Sequence, residues 1–134
     1  MGLFYMDITE IVTQWLRFSM TDLDVAKQLS GNMNPRPLEI ICFHSQQSAE
    51  KALKAFLVQN DILPPKTHDL NQLCEMCGEI DNSFDEIAAS CGRLNRYSVM
   101  PRYPYEIDIT ESDTDIAIQR ASEIVEWINE ILSK

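Results

Sequence analysis

Apolar residues recur at intervals of three and four along almost the whole chain, and no stretch alternates between polar and apolar as a half-buried strand would. That period restricts the fold to packed helices. Ile8, Ile11, Trp15, Phe18 and Ser19, followed by Ala26 and Leu29, predict a first helix from Asp7 to Ser30, with Gly31-Asn32 as its stop. Leu38, Ile41, Cys42, Ser45, Ala49, Ala52, Leu53 and Phe56 predict a second from Pro37 to Asn60. The Pro-Pro pair at 64–65 makes 61–68 a loop, because proline lacks the donor that a helix interior needs. A short third helix is expected from His68 to Ile80, and a fourth from Ser83 that ends by Met100, ahead of Pro101 and Pro104. The last carries Ala117, Ala121, Ile124, Val125, Ile128 and Leu132 inward as far as Lys134.

Three capping boxes mark helix starts: Asp7-Ile-Thr-Glu10, Ser83-Phe-Asp-Glu86 and Thr110-Glu-Ser-Asp113. With 134 residues the chain holds one domain, over 7–134, and the short connections predict an all-α, up-and-down bundle of four to five helices. The small residues Ser45, Ser48, Ala49 and Ala52 allow close approach of another helix, from this chain or from a second copy.

Eleven Lys and Arg against 21 Asp and Glu give a net charge of −10, which excludes a broad surface for duplex DNA. The five carboxylates between Glu106 and Asp115, with no base among them, read as a solvated helix start whose charge suits the dipole. No apolar run reaches bilayer length, and the N-terminus lacks a basic region before its apolar stretch, so a cytoplasmic chain without membrane contact is expected. Cys74-Glu-Met-Cys77 has no matching second pair; Leu73, Cys74, Met76, Cys77 and Ile80 read as a buried stripe, and neither metal nor cofactor is expected.

Single residues carry the rest. Asp22 falls on the apolar stripe of the first helix and calls for a buried cation. Glu50 and Lys54 form an i,i+4 pair, expected on a solvated face; Lys51 can add positive charge near a site. His44 is expected to be hydrogen-bonded near the core, and His68 to satisfy loose backbone groups at the start of the third helix. Arg102-Tyr103-Pro104 pairs a phosphate-shaped fork with a stacking face, which suits a nucleotide; an arginine bound to carboxylates of the last helix is the structural alternative.

The ordered set Trp15-x-x-x-Ser19-x-x-Asp22-Leu23-x-x-Ala26, then residues 43–55 (FHSQQSAEKALKA), Thr67-His-Asp-Leu70 and Tyr97-Ser-Val-Met-Pro-Arg102-Tyr103-Pro104 resembles the HEPN domain, a nucleotide-binding helical family. The resemblance covers roughly residues 8 to 132. It implies a helical bundle paired as a homodimer, often encoded beside a minimal nucleotidyltransferase as half of a toxin–antitoxin pair. It also implies, for active members, metal-independent RNA cleavage by an Arg followed four to six residues later by a His. Here Arg96 takes the place of that arginine, position 101 is Pro, and Tyr103 falls where some members carry a modifiable tyrosine; counting from Arg93 also meets no histidine. Tyr105 stands where the family often has Asp after Arg-Tyr-Pro. The expectation is a module that binds a nucleotide or a nucleotidyltransferase through Arg96, Tyr97, Arg102, Tyr103 and Lys51. A ribonuclease relying on Arg96, Arg102 and Tyr103, with RNA as its ligand, and a bundle with no site are the alternatives.

Overall fold

The structure, a computed structural model, describes residues 7–99 and 108–134. Among the described residues there are five α-helices: α1 (Ile8–Asn32), α2 (Leu38–Gln59), α3 (Leu70–Ile80), α4 (Ala88–Leu94) and α5 (Glu111–Leu132). Short 3₁₀ turns, Asn82–Ile87 and Asn95–Tyr97, flank α4. Among the described residues there is no strand, and no helix is long and apolar enough to cross a membrane.

α2 is the centre of the bundle. It packs on α1, α3 and α5, and from Ala52 through Val58 every residue is buried. The small-residue stripe is taken up within the chain, where the Ser19 hydroxyl of α1 donates to the Ser48 carbonyl at 2.6 Å. Phe84 closes one end of the core between Phe56 and Trp127, with ring centroids 4.5 and 4.8 Å away. On α1 the inward stripe is Val12, Ser19, Asp22, Leu23 and Ala26. Phe18, expected on that stripe, is instead 44% exposed under the Arg17 guanidinium, because Ser19 occupies the close contact with α2.

The helix ends correct several sequence expectations. α1 continues through Gly31 to Asn32, whose side-chain amide donates to Gln28 at 2.6 Å, and the Met33 N–H closes the end on Leu29. α2 ends on a Schellman turn: Ile62 N–H reaches the Leu57 carbonyl, Asp61 N–H reaches Val58, and Asp61 takes the left-handed φ of 59°. α3 starts at Leu70 rather than His68, since the Asp69 carboxylate caps Asn71 and Gln72, and Asn95 Oδ1 accepts from Leu70 N–H. The expected box at Ser83 is replaced by Asp81, which accepts from both the backbone and the hydroxyl of Ser83; Glu86 is engaged by the Trp127 indole N–H at 3.0 Å. At Asp7 the carboxylate caps Thr9 N–H. The box at Thr110 and Asp113 forms in full, both bonds being 3.0 Å.

Candidate functional site

Because α2 is enclosed on nearly every side, its polar residues must find partners inside the protein. Asp22 of α1, 8% exposed, receives His44 Nδ1 at 2.9 Å on one oxygen and Lys51 Nζ at 2.5 Å on the other. Glu50, 4% exposed, repeats the arrangement with His68 Nδ1 at 2.9 Å and Lys54 Nζ at 3.0 Å. Gln46 and Gln47 join this second group: Gln46 donates to the His68 carbonyl, and Gln47 donates to Gln46 and Glu50. Each histidine thus presents Nδ1 to a carboxylate, an acceptor that calls for a proton on that nitrogen.

Asp22 therefore has the cation it requires, and His44 is hydrogen-bonded as expected. The Glu50–Lys54 pair also forms, but it is buried rather than solvated, because α1 and the loop before α3 cover that side of α2. His68 serves Glu50 with its ring instead of capping α3. Lys51 is bound to Asp22, so its charge is neutralised inside this network.

Acidic residues at the start of α5 are engaged as well. Arg36 is clamped by Glu111 and Asp115, and the Asp113 carboxylate accepts from Arg93 at 2.9 Å. The stretch read as solvated is thus partly neutralised by arginines from elsewhere in the chain. Hydrogen bonds from the Thr110 backbone and hydroxyl, and then from Arg93, hold Asp113 below the ordinary carboxylate range. Arg93 consequently has a structural partner. The i,i+4 spacing of Glu111 and Asp115 was the available sequence signal; nothing local pointed to Arg36 as their partner.

Arg96 is different. It is exposed beside an open cleft of about 170 Å³ lined by Glu39 and Phe43 of α2, by Arg96, Tyr97 and Val99, and by Asp108 and Ile109 ahead of α5. Its guanidinium lies 6.0 Å from the Tyr97 ring centroid. Among the described residues it has no carboxylate ion pair, as is also true of Arg17 on α1, whereas Arg36, Arg93 and Arg120 are ion-paired. Tyr97 is buried beside the Cys42 thiol, and burial pushes its phenol above the usual range. The structure therefore brings Arg96 and Tyr97 to one cleft, which Lys51 does not line. Arg102, Tyr103 and Tyr105 lie outside the described residues.

All four cysteines are buried free thiols, Cys74 and Cys77 within the core. Met76 is only partly buried and Ile80 is exposed, which narrows the expected α3 stripe to Leu73, Cys74 and Cys77 beside Leu70. Among the described residues no group of three His, Cys, Asp or Glu side chains is placed to hold a metal ion.

Three solved chains resemble this one, two of them as follows. TT1696 from Thermus thermophilus superposes with a TM-score of 0.75 at 21% identity, over 89% of this chain and 96% of that one. ST0689, described as an archaeal HEPN homologue, gives a TM-score of 0.69 at 28% identity, over 89% and 95%. Comparison with curated proteins yields no match. The model of the HEPN domain matches residues 12–131, and the chain, with its five-helix bundle and enclosed polar α2, belongs to that family.

Proposed function

We propose that this HEPN domain is a binding module that holds a nucleotide, or a minimal nucleotidyltransferase partner, at the Arg96 cleft, as one half of a toxin–antitoxin-like pair. The observation that carries the reading is Arg96 itself, an exposed guanidinium at a cleft with no internal carboxylate partner among the described residues. A free guanidinium offers a bidentate fork to phosphate, and Phe43 beside it offers a face to a base. Arg102 and Tyr103 fall in sequence between Val99 and Asp108, which both line the cleft, and the proposal includes them as further contacts. Two copies of the chain form the working unit in this reading.

The ribonuclease alternative needs an acid–base group beside the phosphate. Pro101 stands in the histidine position, and no histidine is among the described residues lining the cleft. The test is fluorescence titration with a labelled ATP, comparing wild type with Arg96→Ala. Loss of one charge-assisted phosphate contact weakens binding about tenfold or more; equal affinities overturn the assignment of Arg96. An RNA oligonucleotide incubated with EDTA present should stay intact. Cleavage by wild type and not by Arg96→Ala replaces this reading with the ribonuclease one.

A further inference from the structure

Besides its guanidinium, the Arg96 cleft is lined by two carboxylates, Glu39 and Asp108, which a phosphate site does not call for. Two carboxylates against one guanidinium leave Arg96 itself as the place for a phosphate. The rest of the cleft suits a part of the ligand that is uncharged and donates hydrogen bonds, since an ionised carboxylate only accepts them. At about 170 Å³ the cleft is smaller than the roughly 300 Å³ at which pockets for whole ligands begin. It therefore takes one ring system and leaves the phosphates to the exposed Arg96. Glu39 is half-buried in the first turn of α2, and among the described residues no hydrogen bond or ion pair engages its carboxylate. Phe43 follows it by four residues, which sets the two side chains next to each other on one face of the helix. A base lying on the Phe43 ring thus has its edge beside Glu39.

Resting on the reading of this cleft as a nucleotide site, we propose that it selects guanine, with Glu39 as the residue that reads the base. Guanine presents two adjacent donors on its Watson–Crick edge, N1–H and the 2-amino group, one for each carboxylate oxygen. Adenine presents its 6-amino group beside the N1 lone pair, so one bond forms and the second oxygen meets a lone pair. Hypoxanthine keeps N1–H and lacks the 2-amino group. The pyrimidines present one donor flanked by acceptors, on a smaller ring for Phe43 to cover. Both guanine bonds are charge-assisted, the stronger class of hydrogen bond, which makes the carboxylate the source of the preference. Asp108 comes from the approach to α5 and has no such helical register with Phe43, which leaves Glu39 as the reader.

The test is calorimetric titration of the full chain with GTP, ITP and ATP in turn. GTP is expected to bind at least about tenfold tighter than ATP, with ITP between them. Glu39→Gln replaces the pair of acceptors by one acceptor and one donor, the pattern that adenine's 6-amino group and N1 complement, so the preference should reverse. Glu39→Ala should lower GTP affinity about tenfold and leave ATP nearly unchanged, while Asp108→Asn keeps the preference for GTP. Far-UV circular dichroism checks that each variant is folded. Equal binding of GTP and ATP, both weakened by Arg96→Ala, overturns the guanine assignment and leaves the nucleotide reading in place. Binding of none of the three overturns both. A preference for GTP that persists in Glu39→Ala, or that disappears in Asp108→Asn alone, removes Glu39 as the reader and overturns the proposal.

Discussion

Glu50 shows how a side chain's role depends on what surrounds it. In the sequence it is half of an ordinary i,i+4 pair with Lys54, and such pairs on a helix surface contribute a few tenths of a kcal/mol. In the structure both partners are buried, and the carboxylate also receives His68. Removing one partner of a buried pair leaves the other uncompensated, so Glu50→Ala should lower stability by about 3 kcal/mol. Glu50→Met combined with Lys54→Met should recover most of that loss, since an apolar pair of similar volume leaves no buried charge. Urea unfolding of the two variants checks this; equal destabilisation would show that the pair contributes through shape alone. Asp22 was legible in the sequence because a carboxylate on an apolar stripe is conspicuous. Glu50 was not, because its burial is imposed by segments distant in sequence: Gln46 holds the His68 carbonyl, and the His68 ring covers the carboxylate.

At the level of elements, helix starts were readable where side chain and backbone agree locally and unreadable where a neighbour intervenes. Thr110 and Asp113 form the box their spacing implies, while Ser83 and Glu86 have the same spacing and form none, because Asp81 captures Ser83 and Trp127 captures Glu86. The start of α5 also carries a pH dependence. Asp113 titrates below its ordinary value when folded, so its contribution is complete above about pH 4 and is lost as the pH falls through the folded value. Thermal melts between about pH 2 and 5 should therefore show a Tm that drops with acidification, and Asp113→Asn should flatten that limb while lowering Tm at neutral pH. An unchanged acid limb in the variant would locate the acid sensitivity elsewhere, Asp81 being the first alternative, since its bonds to Ser83 depress it in the same direction. The Arg96 cleft was legible only as separate residues. Its walls come from the first turns of α2, the 3₁₀ turn that follows α4 with Val99 beyond it, and the approach to α5, which no local pattern brings together.

For the whole molecule, charge and association are coupled. A chain of net charge −10 repels its own copy, so the proposed homodimer should tighten as salt screens that repulsion. Sedimentation at high micromolar concentration is expected to give twice 15.4 kDa, with firmer association at about 0.5 M than at about 0.02 M salt. A 15.4 kDa species at both ionic strengths would reject the dimer. The all-helical architecture was legible from the period, because 3.6-residue spacing persists through every long segment, and the prolines and caps that divide it gave a count of four to five helices. The inward face of α1 was less so: Phe18 has the hydrophobicity for the core, yet the close approach of α1 to α2 admits Ser19 and turns Phe18 outward.

That close approach fixes more than distance. Asp22 of α1 holds His44 and Lys51, and His68 ahead of α3 holds Glu50, so the three α2 positions 44, 50 and 51 meet their partners on other segments at only one rotation of the helix about its axis. Turning α2 by a single residue, about 100°, would take His44 and Lys51 away from Asp22 and Glu50 away from His68, while the Glu50–Lys54 pair, both on α2, would turn with it. An aliphatic helix could rotate and repack with modest loss. This one is keyed, and the polar ladder selects a unique setting of the central helix around which the other four are arranged.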